Sequence, residues 1–241
     1  MAFDDPSLFI NRELSMLAFQ RRVLDEARDL GLPLYERLKF IGIAASNMDE
    51  FFMVRLSGIK QQIVGGVLEK SADGLLPQEQ LLAISEQAHA FVAEQYRVWN
   101  ELQPDLADKG GVRILSGMDL TPEQLAVARE YFAGTVFPAL TPLAVDPGHP
   151  FPHLRNKSLN VAVFLKRKET GAAPKRKKGK KQAVMQSDNN IDISVAVVQM
   201  PGVLPRLVPL ATDKGRAYLP LDSRQRLPTR ASFRLGKTRR L

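Results

Sequence analysis

Histidine is the residue type in this sequence best suited to catalysis or metal binding, and the chain contains three: His89, His149 and His153. An imidazole can attack as a nucleophile, and two of them four residues apart can bind one metal ion on a helix. His149 and His153 have that spacing, but Pro150 and Pro152 exclude a helix there. His89 falls in a long predicted helix beside core positions. The sequence therefore predicts no catalytic residue and no metal ligand in this chain.

Asn47 is the strongest candidate for contact with a ligand. Its amide offers one acceptor and two donors, and an adenine edge presents a donor and an acceptor together. The sequence at 45–49 predicts a short break before a third helix, so Asn47 would lie at a helix start, where backbone N–H groups are free. Two interpretations stay open at this point: an N-cap for that helix and contact with a nucleotide.

The basic residues are concentrated in two segments. Residues 166–181 hold nine Lys and Arg and one acid, and residues 224–241 hold seven and no acid. The two segments together carry a charge of +15, whereas the whole chain carries +8, so the remaining residues carry about −7. A general nucleic-acid-binding surface is therefore not expected. The run at 174–181 could bind a polyanion through counterion release. A solvated loop is the alternative.

The first half of the chain reads as helices. Apolar residues at helical spacing predict one buried stripe, formed by Met16, Phe19, Val23, Ala27 and Leu30. Asn11 or Ser15 could cap this helix, and a long helix is expected from Pro77 to Leu106. Short connections between such helices predict a bundle-like helical domain over residues 1–107.

The second half changes character. Thr121 and Gln124 flank a helix start with the spacing of a capping box, and that helix is expected to end near Ala133. A proline-rich stretch at 137–152 predicts an extended loop. Predicted strands lie at 112–115, 158–165 and 191–200, with a basic, disordered loop at 167–190. The expected fold class is thus α+β: the helical domain, then an incomplete α/β head domain over 108–223.

Several ordered motifs resemble the start of the large, histidine-phosphorylating bacterial polyphosphate kinases. They are FINRELS at 9–15, PLYERLKF at 33–40, SNMDEFFMVR at 46–55 and LTPLAVDP at 140–147. The resemblance covers residues 7–223. It departs at Met16, where the family usually has Trp, and at Gln20, where it usually has Asn; both are interpreted as packing changes.

The resemblance implies an enzyme that transfers the terminal phosphate of ATP reversibly to polyphosphate with Mg²⁺. It implies that Asn47 contacts the adenine of ATP or ADP and that the head domain makes contacts in a homo-oligomer. The magnesium ligands and the phosphorylated histidine would lie in C-terminal domains that are missing from this chain, which is then expected to be inactive alone. The alternative is a non-catalytic polyanion-binding or dimerisation module.

The family implies a cytoplasmic location, and association with a membrane as part of a complex stays open. No apolar run is long enough for a transmembrane helix. After Ser223 the resemblance stops, and residues 224–241 form a basic tail with no apolar period. We interpret this tail as a shifted reading frame and the chain as truncated; a genuine basic tail is the alternative.

Overall fold

The computed structural model describes residues 5–145, 151–166 and 193–221. Its α-helices are α1 (Arg12–Asp25), α2 (Leu34–Glu50), α3 (Ser57–Val64), α4 (Pro77–Asp108), α5 (Pro122–Tyr131) and α6 (Phe137–Ala139). Its strands are β1 (Val112–Ile114), β2 (Thr141–Val145), β3 (Asn160–Lys166), β4 (Ile193–Gln199), β5 (Leu207–Leu210) and β6 (Arg216–Pro220). The predicted α+β class is confirmed.

The chain divides into two compact units. The first combines Met1–Leu115 with Pro209–Leu219, and the second combines Ser116–Val208 with Pro220–Leu241. The first unit is therefore made of two separate stretches of sequence. The predicted domain ranges 1–107 and 108–223 stay a prediction.

The core of the first unit is built from the facing sides of its helices. Among its fully buried side chains are Leu17 and Leu24 of α1 and Ile84, Phe91 and Leu102 of α4. These apolar side chains are removed from water together, which is the main stabilising term for such a unit.

The buried face of α1 differs from the predicted stripe. Of the predicted stripe, Ala27 is buried and Val23 packs against the core, whereas Met16, Phe19 and Leu30 are exposed. Leu17 and Gln20, which were not in the stripe, are buried. Helix α1 carries apolar residues on neighbouring faces, so spacing alone does not decide which of them turns to the core. The packing of α1 against α2 and α4 makes that choice.

The predicted break at 45–49 is wrong. Helix α2 runs through it and continues without interruption as a π-helix at Phe51–Leu56 and then as α3. Met48 and Phe51 are buried in the core, and no proline interrupts the stretch from 34 to 64. The segment at 45–49 was predicted as a break, but burial of Met48 and Phe51 keeps the backbone helical.

The sequence predicts Asn11 or Ser15 as the N-cap of α1, and the structure has Asn11 as the cap. Its Oδ1 accepts hydrogen bonds from the backbone N–H groups of Glu13 at 3.0 Å and of Leu14 at 3.1 Å. Its Nδ2 donates to Asp73 Oδ1 at 3.2 Å. The same side chain therefore starts the helix and ties it to the segment before α4.

The strands form two three-stranded sheets. In the first, of order β1-β6-β5, β1 runs parallel to β6 and Val112 is paired with Arg216. Gly111 and Gly215 lie close together in the turns beside this pair. A side chain at Gly215 has no room there, because its Cβ would lie 2.4 Å from the carbonyl oxygen of Gly111. The second sheet, of order β2-β4-β3, is antiparallel throughout.

The predicted extended loop at 137–152 is partly wrong. Helix α5 passes into a π-helix at Phe132–Val136 and then into α6, which contains Pro138. A proline is compatible with the first turn of a helix. The following residues, Thr141–Val145, form β2 and hydrogen-bond to β4. The basic loop 167–190, the tail 224–241 and residues 146–150 lie outside the described residues.

The predicted capping box of α5 is confirmed. Thr121 Oγ1 accepts from Gln124 N at 3.3 Å, and Gln124 Oε1 accepts from Thr121 N at 3.1 Å.

We expect Thr121→Ala to destabilise the start of α5 by about 1 kcal/mol, because one backbone N–H loses its partner. Hydrogen exchange of the amides of α5 measures this, with Thr121→Ser as the control that keeps the hydroxyl. Equal exchange in the Ala and Ser variants would show that the cap contributes nothing.

Candidate functional site

Asn47 lies inside α2, one turn before the helix passes into its π segment. Its backbone carbonyl accepts from Phe51 N, so the residue is fully helical. The interpretation of Asn47 as an N-cap is therefore wrong, since a cap has non-helical backbone and precedes the first turn. A structural reason for an asparagine at this position has to come from its side chain.

The side chain of Asn47 is half-buried and points at α1. Its Nδ2 donates a hydrogen bond to Gln20 Oε1 at 2.9 Å. Among the described residues this is the one hydrogen-bond partner of the Asn47 amide. One N–H and the carbonyl oxygen of that amide are left for a ligand, which is a donor and an acceptor side by side.

Gln20 is the residue that sequence reasoning missed. It is 1% exposed, and its Nε2 lies 4.0 Å from Met16 Sδ, a weak acceptor. The two departures from the family pattern thus contact each other, and Gln20 also contacts Asn47. Their interpretation as simple packing changes was incomplete, because Gln20 also makes a polar contact. The available signal was an amide located among the apolar positions of a core-facing helix.

Two partly exposed apolar side chains lie near this amide pair, one on each helix. Residues four apart on a helix share a face, which places Met16 next to Gln20 and Ile43 next to Asn47. Met16 is 40% exposed and Ile43 is 45% exposed. Partly exposed apolar side chains therefore lie within one helical turn of each amide.

A separate cleft of about 370 Å³ opens in the first unit. Three cations line it, Arg12, Arg55 and Lys70, together with the acids Glu13 and Glu69. Arg12 is already paired with Glu13 at 3.0 Å. Asn47 lines neither this cleft nor the adjoining one of about 290 Å³, so the charged cleft and the amide pair are different features.

The histidines do not form a cluster among the described residues. His89 is exposed, and its Nδ1 bonds the Ser85 carbonyl of its own helix at 2.7 Å. His153 is exposed as well, and His149 lies outside the described residues. In the part of the chain that the structure describes, no three His, Cys, Asp or Glu side chains come together as a metal site. None of its helices could span a bilayer.

Comparison with known proteins gives two adjacent matches to one family. Residues 9–115 match the polyphosphate kinase N-terminal domain, and residues 123–224 match the polyphosphate kinase middle domain. The chain belongs to the polyphosphate kinase family. The resemblance is thereby confirmed. The two matched regions contain every described residue from α1 to β6 except residues 116–122, which connect them.

Individual relatives agree with this assignment. The polyphosphate kinase of Thermosynechococcus vestitus is 48% identical over 168 residues, which is 70% of this chain and 23% of that protein. Polyphosphate kinase 1 of Chlorobaculum tepidum is 43% identical over 88% of this chain and 28% of its own length. The crystal structure of polyphosphate kinase from Porphyromonas gingivalis superposes with a TM-score of 0.68 at 28% identity, covering 92% of this chain and 30% of that one. The chain thus spans about a quarter of the length of these relatives.

Proposed function

We propose that this chain supplies the adenine-binding part of a kinase that transfers the terminal phosphate of ATP to polyphosphate. The single observation that carries the proposal is the Asn47 amide, which keeps one N–H and one carbonyl oxygen after its bond to Gln20. Adenine offers the complementary pair, an exocyclic amino donor and a ring-nitrogen acceptor. The names of the relatives supply polyphosphate as the acceptor.

The remaining chemistry is assigned to the part of the family that this chain does not span. Phosphoryl transfer through a histidine needs an imidazole aligned with the leaving phosphate, and the two histidines described here are exposed side chains. We propose that the phosphorylated histidine lies in that other part and that this chain alone has no kinase turnover. The contribution of the chain is then positioning, which is a large share of catalysis in phosphoryl transfer.

Mg²⁺ is expected as the partner of ATP in such a kinase. When bound, it neutralises charge on the phosphate oxygens. Among the described residues no three His, Cys, Asp or Glu side chains come together. We therefore assign no ligand to it here. The homo-oligomer and the cytoplasmic location also stay proposals based on the family.

A second candidate function is the binding of polyanions without turnover. It is favoured by the nine Lys and Arg found between residues 166 and 181, since clustered cations bind polyphosphate with release of counterions. The two functions depend on different residues and different conditions. Binding through the basic run would weaken steeply as salt is raised and would not depend on Asn47.

We expect Asn47→Ala to weaken binding of ATP to the chain about tenfold or more, because two hydrogen bonds to the base are lost together. Isothermal titration of the purified chain with ATP measures this. Asn100→Ala is the matched control, since Asn100 is also a helical asparagine bonded to a glutamine, here Gln103 at 3.1 Å.

Deletion of residues 174–181 separates the second candidate from the first. The deletion is expected to leave ATP affinity unchanged and to reduce the affinity for polyphosphate. If the chain does not bind ATP, or if Asn47→Ala binds as well as the original chain, the adenine-binding proposal is wrong. Polyphosphate binding that is lost on deletion would then favour the polyanion module.

A further inference from the structure

We propose that Gln20 is a positioning residue that fixes the orientation of the Asn47 amide. The fixed amide selects adenine over guanine, which carries a carbonyl group where adenine carries its amino group. The proposal rests on the proposed function of Asn47 and adds a specificity determinant on a different helix. It is carried by the contact between the two amides and by the burial of one of them.

The orientation of the pair follows from the burial of Gln20. A carbonyl oxygen that is removed from water needs a donor, or the cost of its desolvation is not recovered. Gln20 is 1% exposed, and the donor that its Oε1 has is Asn47 Nδ2 at 2.9 Å. Its other end faces Met16 Sδ, which accepts weakly and donates nothing. Rotating the Gln20 amide by half a turn would leave its buried oxygen against sulfur.

The orientation of Gln20 then determines that of Asn47. If the Asn47 amide turned over, its Oδ1 would face Gln20 Oε1, and two acceptors would meet without a proton between them. The buried amide therefore holds the Asn47 nitrogen towards α1 and leaves the oxygen in a fixed place. A free asparagine could present either atom to a ligand, whereas this one presents a defined order of acceptor and donor.

A defined order distinguishes purines whose ribose and phosphates are held in one position. Where adenine carries an amino donor, guanine carries the O6 acceptor. An Asn47 oxygen fixed opposite that atom accepts from adenine and repels guanine. Repulsive contacts of this kind contribute specificity that an adaptable side chain does not provide. The consequence is a preference for ATP over GTP that depends on Gln20, a residue that need not touch the base.

The test compares ATP with GTP on the full 241-residue chain. Gln20→Met keeps the length of the side chain but removes its acceptor, and Gln20→Glu keeps an acceptor opposite Asn47 whichever way the group rotates. Gln95→Met is the matched control, because Gln95 is a half-buried glutamine whose Nε2 donates to the Ile41 carbonyl at 3.2 Å and does not contact Asn47. The affinity of each variant for both nucleotides is measured by titration.

We expect the ratio of ATP to GTP affinity to fall about tenfold in Gln20→Met, mainly through better binding of GTP, and to stay near the original value in Gln20→Glu and Gln95→Met. A purely structural role would lower both affinities together and leave the ratio unchanged, which would overturn the proposal. If Asn47→Ala abolishes ATP binding while Gln20→Met keeps the original ratio, this inference fails and the adenine-binding function stands. Failure of the unaltered chain to bind ATP overturns both.

A second measurement covers the case in which a Gln20 variant folds poorly. In the unaltered chain labelled with ¹⁵N, the side-chain amide protons of Asn47 are expected to show one proton that exchanges slowly with water, because it is bound to a buried oxygen. Asn100, which is exposed, serves as the reference resonance. Equal, fast exchange of both Asn47 protons would contradict a fixed amide.

Discussion

Phe91→Ala is expected to lower the free energy of unfolding of the helical unit by about 3–5 kcal/mol, the range found when a fully buried aromatic ring is removed. Phe91 has no exposed surface and belongs to the same core as Leu17 and Ile84. Its removal leaves an apolar cavity inside the core, where the neighbouring side chains lose their dispersion contacts with the ring. Because the ring lies in the middle of α4, the helix cannot shift to close the cavity without disturbing the packing of α1.

Chemical denaturation followed by helical circular dichroism measures this change. Val92→Ala is the control on the next residue of the same helix, since Val92 is 38% exposed and its truncation should cost no more than about 0.5 kcal/mol. A loss of less than 1 kcal/mol for Phe91→Ala would mean that the core described here is not the stabilising one.

Gly215→Ala is expected to cost about 3 kcal/mol and to separate β6 from β1. Two effects add: Gly215 has a φ of +72°, which is unfavourable for alanine by about 1–2 kcal/mol, and the added methyl group would lie 2.4 Å from a backbone oxygen. Backbone cannot move aside as the end of a side chain can. The hydrogen bond from Arg216 N to Gly111 O, at 2.8 Å, is formed at the same place and would be lost with the approach.

A matched pair of glycines separates the two effects. Gly66 has a φ of +69° with nothing near its missing Cβ, so Gly66→Ala measures the conformational cost alone. Gly202→Ala, where the space is open as well and φ is not positive, should be close to neutral. Protection of the β1 amides against hydrogen exchange reports the strand pairing. Equal destabilisation in the Gly66 and Gly215 variants would show that the close approach to Gly111 is unimportant.

Local rules were sufficient for the features that depend on neighbours in sequence. Thr121 was predicted as a cap, and Asn11 was one of two predicted candidates, because a cap needs only a suitable side chain within a few residues of free N–H groups. The short strand after Gly111 and the strands around 160–166 and 193–199 were predicted from β-branched residues for the same reason. All three predicted spans differ from the observed strands by one or two residues at their ends.

Long-range choices were not available to such rules. The face of α1 that enters the core was predicted one position away from the observed face, because Met16 and Leu17 are both apolar and only packing against other helices distinguishes them. The continuity of α2 into α3 depends on the burial of Met48 and Phe51, which the sequence at 45–49 does not indicate.

The candidate site shows the same limit. Asn47 was singled out by residue type and family pattern, while its partner Gln20 lies on another helix and looked like a departure from that pattern. The hydrogen bond between them joins residues 27 positions apart, a contact that periodicity does not report. The burial of Gln20, which shows that its amide needs a polar partner, is visible only in the structure.

The parallel pairing of Val112 with Arg216 has a consequence for synthesis on the ribosome. At usual elongation rates, β6 follows β1 out of the ribosome only after about 5–20 s, whereas helices form within microseconds. The nascent helices therefore have time to associate before β6, the central strand of the β1-β6-β5 sheet, has been synthesised. During that interval β1 offers an unpaired edge to whatever strand arrives first, and β2, β3 and β4 all emerge before the correct one.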